Sequence, residues 1–422
     1  MKKFAAMISL LCILPVLNGQ MQDAVNKIRS EYQLMGLSVV TVCNDRITGS
    51  FNAGMRDYER NLPVNDSTRY RIASISKLVM TTGLMILYDR KLFRLDEDVS
   101  NYLGFTLRNP NHPETPITFR MLLSHTGSIN EGTGYDAFLM DTYNNVSNPP
   151  DFSQLLIPGG KYYTEDMWRK EAPGEYFTYC NANFGLAGTL IEKISGQRFD
   201  EFMKENIFLP LGISCAYTVE GLPDLNNLAV IYRNEEGQWV PQTDALRGKL
   251  ATPRDFSGYK TGTNAAVFSP QGGLRISASE LARVMILHLN KGTYNGKRIL
   301  SVKSIRLMHT PQWKYNGTNG DDVGQSRCWG LSVHILTNTP SGDIIFRDAR
   351  MMGHTGDAYG LKSGFWFDPV SRSGYIFMTN GIFKQPAPGT SSAFDSFEEA
   401  VSSAAGEYSF VPCKKIRKSL HK

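Results

Sequence analysis

Tyr70-Arg-Ile-Ala-Ser74-Ile-Ser-Lys77-Leu-Val-Met80 is the stretch on which the reading of this chain turns. It sets a serine at the mouth of an apolar, helix-like run, with a lysine three residues further on. Positions i and i+3 share a helix face, so the Ser74 hydroxyl and the Lys77 amine lie side by side. A serine is a poor nucleophile until a base takes its proton, and a lysine whose pKa is lowered by desolvation can be that base. The first amides of the helix have no partner within it and face whatever the serine attacks. Ser-x-x-Lys alone arises often by chance and is then simply a helix start. Its context decides.

The chain has 422 residues, 41% hydrophobic and 20% charged, enough for one large core or two modest ones. It opens with Met1-Lys2-Lys3 and the apolar run Phe4 to Leu17, which reads as a signal peptide over residues 1–19. Gly19 is the small residue before the cut, and the run is too short to span a bilayer comfortably. Cys12 follows Leu11, where lipid attachment asks for a small residue, so no lipid anchor is expected. The expectation is a periplasmic or secreted protein with no stable membrane span. Removing Lys2 and Lys3 takes the formal charge from +5 to +3, too little to point to nucleic acid. The basic tail 411–422, with Lys414, Lys415, Arg417 and Lys418, reads as a solvated terminus, attraction to anionic lipid being the lesser alternative.

Cys43, Cys180, Cys215, Cys328 and Cys413 remain after processing, an odd set with no Cys-x-x-Cys spacing. That argues against a disulfide framework and a zinc site, and leaves one disulfide open. The histidines show no ligand spacing, so neither a metal nor a cofactor is expected.

Gln22 to Met35 has helical periodicity, and Leu37 to Cys43 reads as a strand turning at Asn44-Asp45 into a second near Ile47 to Ala53. From about 90 to 290 the chain reads as helix and loop, with helices over Asn183 to Ile194 and Ser279 to Asn290. Strands return at Trp329 to Leu336, Ile344 to Met351, Leu361 to Phe367 and Gly374 to Asn380, before a helix over Ser391 to Ala405. Strands at both ends with helices between predict an α/β (α+β) fold, an antiparallel sheet with a mainly helical insertion lobe. The expected layout is one catalytic domain over 20–410. Its α/β lobe comes from about 20–80 and 300–410, its helical lobe from about 81–299, and the site lies between them.

Two further motifs follow the serine. Pro173-Gly-Glu-Tyr-Phe-Thr-Tyr179-Cys-Asn181 precedes a helix, and Gly353-His354-Thr355-Gly356 precedes the strand Lys362 to Phe367. Ile117 to Gly127, Gly272 to Arg283, and Asp368-Pro to Asn380 carry the pattern over nearly the whole mature chain. Each residue alone has a duller reading: Tyr179 and Asn181 as a capping turn, His354 as a satisfied strand-end histidine. Together and in this order they resemble the serine β-lactamase and D-alanyl-D-alanine peptidase superfamily, in its class C β-lactamase-like branch. That branch also holds esterases, D-amino-acid peptidases and acyltransferases.

The resemblance implies a β-lactamase/transpeptidase-like fold with Ser74, Lys77 and Tyr179 as catalytic residues. Ser74 attacks a carbonyl while Lys77 and Tyr179 manage its proton, the tyrosine helping if a nearby ammonium lowers its pKa. The oxyanion hole implied is the backbone amides of Ser74 and Asp357. Asn181, His354, Thr355, Gly356 and Asp357 are the candidate substrate-binding residues, Asn181 holding either the substrate carbonyl or Lys77. The segment with His125-Thr-Gly127 is structural in the family. Ser257-Gly-Tyr-Lys260 and Lys260-Thr-Gly262 are rejected as decoys, since no helix follows the serine and no strand the glycine.

Three departures stand out. Cys180 replaces a small serine or alanine, and is either an oxidisable thiol or a buried small residue. His354 stands where β-lactamases carry a lysine that attracts the substrate carboxylate, and histidine is largely neutral near pH 7. Asp357 puts a negative charge beside the oxyanion hole, either selecting a substrate amine or pointing outward. These changes predict an exported peptidase, esterase or amidase acting on a small molecule or short peptide, not an efficient β-lactamase. The alternatives are an acyltransferase using the same acyl-enzyme and a catalytically silent penicillin-binding or sensing protein.

Overall fold

The computed structural model describes residues 2–321 and 324–407, with backbone alone for 2–16, so most of the expected leader's side chains and the tail 411–422 lie outside the described residues. The main sheet takes strands from both ends of the chain: β1 (Gly36–Cys43), β2 (Arg46–Asp57), β3 (Leu62–Pro63), then β6 (Trp313–Lys314), β7 (Cys328–Trp329), β8 (His334–Ile335), β9 (Met352–Ala358), β10 (Leu361–Asp368) and β11 (Ser373–Thr379). Its order is β6-β7-β8-β9-β10-β11-β1-β2-β3, so the first strand pairs the last, Leu37 opposite Thr379 and Cys43 opposite Ser373. A separate short pair, β4 (Arg69–Arg71) with β5 (Arg275–Ser277), leads into the serine motif.

Both faces of the sheet are covered. Val40, Val42, Phe365, Phe367, Ile376 and Met378 pack on helices α2 (Ile75–Asp89) and α5 (Ala278–Leu289). The alternate residues Leu37, Val39, Trp366, Tyr375 and Phe377 pack on α1 (Lys2–Glu31) and α6 (Ser396–Ala405). A strand buried on both faces reads as a continuous apolar run, which is why Leu37 to Cys43 shows no polar alternation. The packed side of α1 begins at Met21, and among the described residues no helix is long and apolar enough to cross a membrane.

Several expected elements come out differently. The helix expected to run to Met35 ends at Glu31, with Gln33 in a left-handed conformation. The strand expected over Trp329 to Leu336 is broken into β7 and β8, because Ser332 turns left-handed and donates its N–H to the Leu123 carbonyl at the end of α3 (Phe119–Leu123). Ile344 to Met351 is loop, not strand. Asp343 draws this segment into a turn by accepting from the backbone of Thr337 and Thr339 and from the Thr337 hydroxyl. The last helix starts at Ser396, not Ser391, because Asp395 and Glu398 form a capping box while residues 390–392 wrap the Glu399 carboxylate. Within the segment expected to be helix and loop lies a hairpin, Ile231–Glu235 with Gln238–Thr243, turning at Glu236-Gly237. Cys43 is disulfide-bonded, while Cys180, Cys215 and Cys328 are free and buried.

Candidate active site

β4 delivers the chain to Ala73, whose φ of 45° lies in the left-handed region that costs an alanine roughly 1–2 kcal/mol. That bend starts α2 with Ser74 at its N-cap, where the hydroxyl makes no capping bond and stays available. Lys77 Nζ lies 2.9 Å from Ser74 Oγ and donates to the Gln271 carbonyl at 2.8 Å. Lys77 is wholly buried, and desolvation lowers its pKa from 10.5 to about 7, with Glu131 opposing the fall. With one N–H held by Gln271, the neutral amine keeps a lone pair for the serine proton.

Tyr179 closes one side, its ring centroid 5.0 Å from Lys77 Nζ. Its phenol pKa is pushed up by burial, which outweighs its hydrogen bond with Ser74. The lowered tyrosine pKa expected from a nearby ammonium is therefore absent, because desolvation of the phenol dominates. Burial thus keeps the Tyr179 phenol protonated, while the Lys77 amine is the group that can give up its proton near neutrality. His125 stacks on Tyr179 at 4.3 Å and accepts the Cys180 N–H on Nδ1, which fixes it as a neutral ring and braces the turn. Cys180 is buried with its thiol pKa driven up by desolvation, so it packs as a small residue and is not an oxidisable thiolate.

Asn181 begins α4 (Ala182–Ser195), and both its backbone N–H and its side chain engage Glu131. The side chain expected to hold a substrate carbonyl or Lys77 thus rests on a carboxylate that sequence reading missed. Glu131 accepts at the N-terminus of a 14-residue helix, a favourable place for an anion. Desolvation raises its pKa and the α4 amides oppose that; the residue is exposed at the cleft rim, so its desolvation is partial. Nothing in the spacing from Gly127 to Glu131 announces this contact.

The third motif lies on β9. β8 pairs only with Met352 and Gly353, so the stretch from His354 onward has an open edge on that side. A Cβ on Gly356 would stand 2.3 Å from the Ile72 carbonyl, so only glycine lets the strand pass this close to the start of α2. His354 is enclosed, 2% exposed, against Trp329 and Tyr179. Nδ1 donates to the Thr355 carbonyl at 2.6 Å, and burial lowers the ring to about pKa 3. The position where β-lactamases carry a carboxylate-attracting lysine is therefore neutral, as a histidine there implies, and it is also shut. Asp357 alternates away from Gly356, and its carboxylate, 67% exposed, pairs with Lys362 at 3.1 Å. Its charge is turned from the serine, as is the side of β9 that carries the half-buried Thr355.

Ser257 and Lys260 are exposed in a loop that exists to satisfy Glu192. Tyr259 Oη and the Gly262 N–H both donate to that buried carboxylate, at 2.6 Å each. A surface cleft of about 540 Å³ lies away from Ser74, lined by residues such as Asp141, Asn145, Lys161, Tyr162 and Asp255. The shifted Lys77 amine, the Ser74 hydroxyl and the open edge of β9 meet instead at the start of α2. Among the described residues, no three His, Cys, Asp or Glu side chains gather as a metal site.

Residues 21–390 match the family model described as Beta-lactamase. Penicillin-binding protein 4 of Amycolatopsis lactamdurans is 24% identical over 300 residues, 70% of each chain. The octameric penicillin-binding protein homologue from Pyrococcus abyssi superposes with a TM-score of 0.67 at 22% identity, over 92% of this chain and 76% of that one. EstCE1, a hydrolase with promiscuous acyltransferase activity, gives a TM-score of 0.65 at 20% identity, over 93% and 98%. At such identities these structures speak to the fold, and the expected antiparallel sheet flanked by helices is the one they share.

Proposed function

The chain belongs to the Beta-lactamase family, and from that premise we propose that it is an exported serine hydrolase cleaving an amide or ester through an acyl-enzyme on Ser74. The observation that carries this reading is the 2.9 Å contact between Ser74 Oγ and a wholly buried Lys77 amine held near pKa 7. Ser74 Oγ attacks the substrate carbonyl carbon as its proton passes to Lys77 Nζ. The oxyanion sits on the amides of Ser74 and Asp357, each such donor being worth about 10²–10³-fold in rate. Collapse breaks the bond to the leaving group, which takes a proton from Tyr179, itself reprotonated by Lys77. Water then attacks the ester on Ser74 and releases the acid. The open edge of β9 holds the substrate by hydrogen bonds, as an added strand would be held.

Transfer of the acyl group to an alcohol or amine is the second reading, supported by the acyltransferase activity named for EstCE1. Product analysis with an added acceptor separates the two, because a pure hydrolase gives only free acid. Intact-mass analysis after a fluorophosphonate tests the common premise. One adduct is expected on the native protein and none on Ser74→Ala, which stays folded by circular dichroism. An unlabelled native protein, or a fully active Ser74→Ala, would overturn the assignment.

A further inference from the structure

We infer that Arg71 is the anion-binding residue of this site, and that it selects acyl donors whose retained acyl part carries a carboxylate. The inference rests on the acyl-enzyme reading and adds the substrate class. The usual candidates for charge recognition are spent: His354 is neutral and enclosed, Lys77 faces the serine, and Asp357 is paired outward with Lys362.

Arg71 ends β4, three residues before the nucleophile. Its Nε donates to the Gly272 carbonyl at 3.0 Å, next to the Gln271 carbonyl that holds Lys77. Its guanidinium lies 4.8 Å from the ring centroid of Tyr359, two residues past Asp357. The group therefore joins the two walls that flank the amides of Ser74 and Asp357. Among the described residues, its Nη atoms donate to nothing and no carboxylate forms an ion pair with it. The acid it feels, Asp244, already receives two bonds from Arg275, at 3.1 and 2.7 Å. A half-buried guanidinium beside a second arginine, its nearest acid already bonded elsewhere, gains from an added counter-charge, and the fork of free N–H groups matches a carboxylate.

One further feature supports a ligand there. Tyr359 has φ of 57° and Gly360 of 101° in the two-residue turn between β9 and β10, where asparagine is the comfortable first residue. A half-exposed tyrosine accepting that strain puts its ring over Arg71.

The orientation follows from the proton path. Tyr179, His354 and Trp329 stand at one end of β9, so the leaving group departs there. Arg71 and Tyr359 stand at the other end, five residues and roughly 16 Å along the strand. The acyl part that stays on Ser74 extends towards them.

The test uses two p-nitrophenyl esters of similar length, a neutral butyrate and a glutarate half-ester with a free carboxylate. The native protein is expected to show a kcat/KM about 10–100-fold higher for the half-ester, the difference lying mainly in KM and shrinking with salt. Arg71→Gln should lower the half-ester at least tenfold more than the butyrate, and Arg71→Lys should restore part of the gap. Glutarate should also slow fluorophosphonate labelling of Ser74 in the native protein and not in Arg71→Gln. No preference in the native protein, or a parallel loss of both esters in Arg71→Gln, overturns the assignment and makes Arg71 a brace between walls. If fluorophosphonate leaves Ser74 unlabelled, the acyl-enzyme reading itself falls, and this inference with it.

Discussion

Lys77→Met removes a buried amine, and its effect on stability has a magnitude and a pH dependence that can be stated in advance. Lowering this lysine from 10.5 to about 7 means that keeping it charged inside the fold costs about 5 kcal/mol, at about 1.4 kcal/mol per tenfold. Between those two pH values the unfolded chain binds a proton that the folded protein has released. Stability from this group therefore rises as pH climbs through the window, and is lowest below pH 7 where both states are protonated. Moving from about pH 7 to about pH 9 should stabilise the native protein by about 2 kcal/mol through Lys77 alone.

The variant also strands the Gln271 carbonyl, a cost of about 1–3 kcal/mol that does not vary with pH. The pH-dependent difference is thus the clean quantity. Urea unfolding of native protein and Lys77→Met at both pH values gives it directly. The native kcat/KM should in parallel rise with pH along a single limb centred near 7, and the variant should lose about 10²–10⁴-fold of it. Stability curves that run parallel in the two proteins, or a flat activity profile from pH 5 to 9, would sink the argument that burial makes this lysine a base.

Gly356→Ala should push β9 off the start of α2, because the new methyl meets the Ile72 carbonyl; fluorophosphonate labelling of Ser74 should slow at least tenfold, measured by intact mass. Glu192→Ala leaves the Phe199 and Gly262 amides and the Tyr259 hydroxyl without their acceptor, so thermal unfolding should show a loss of about 2–4 kcal/mol. Ser257→Ala, in the exposed decoy loop, should leave kcat/KM within about twofold of native, within the usual range for surface substitutions.

The pair Ser74 and Lys77 was legible because helix geometry alone puts them together, and the strands β1, β10 and β11 because their apolar runs are long and β-branched or aromatic. What the sequence hid follows from packing. The protonation of Lys77, Tyr179 and His354 depends on desolvation by residues distant in the chain, so the expected tyrosinate gave way, and His354, expected to be largely neutral, is also enclosed. The direction of Asp357 depends on strand phase, which a Gly-rich motif does not announce. Ile344 to Met351 has strand composition, yet Asp343 captures the preceding backbone. Glu131 sits in a loop where a single carboxylate carries no periodicity to mark it.

The seam between β1 and β11 has a consequence for how the protein reaches this state. The first and last strands of the sheet are neighbours, so the sheet is dominated by contacts far apart in sequence and should close slowly. Ser74 and Lys77 are made early, but Gly356, His354 and the strands behind them arrive only when nearly the whole chain exists. Until they pack, Lys77 stays in water at its ordinary pKa and cannot activate the serine. Reactivity at Ser74 is therefore a late event, and covalent labelling sampled during refolding would time the closing of the sheet.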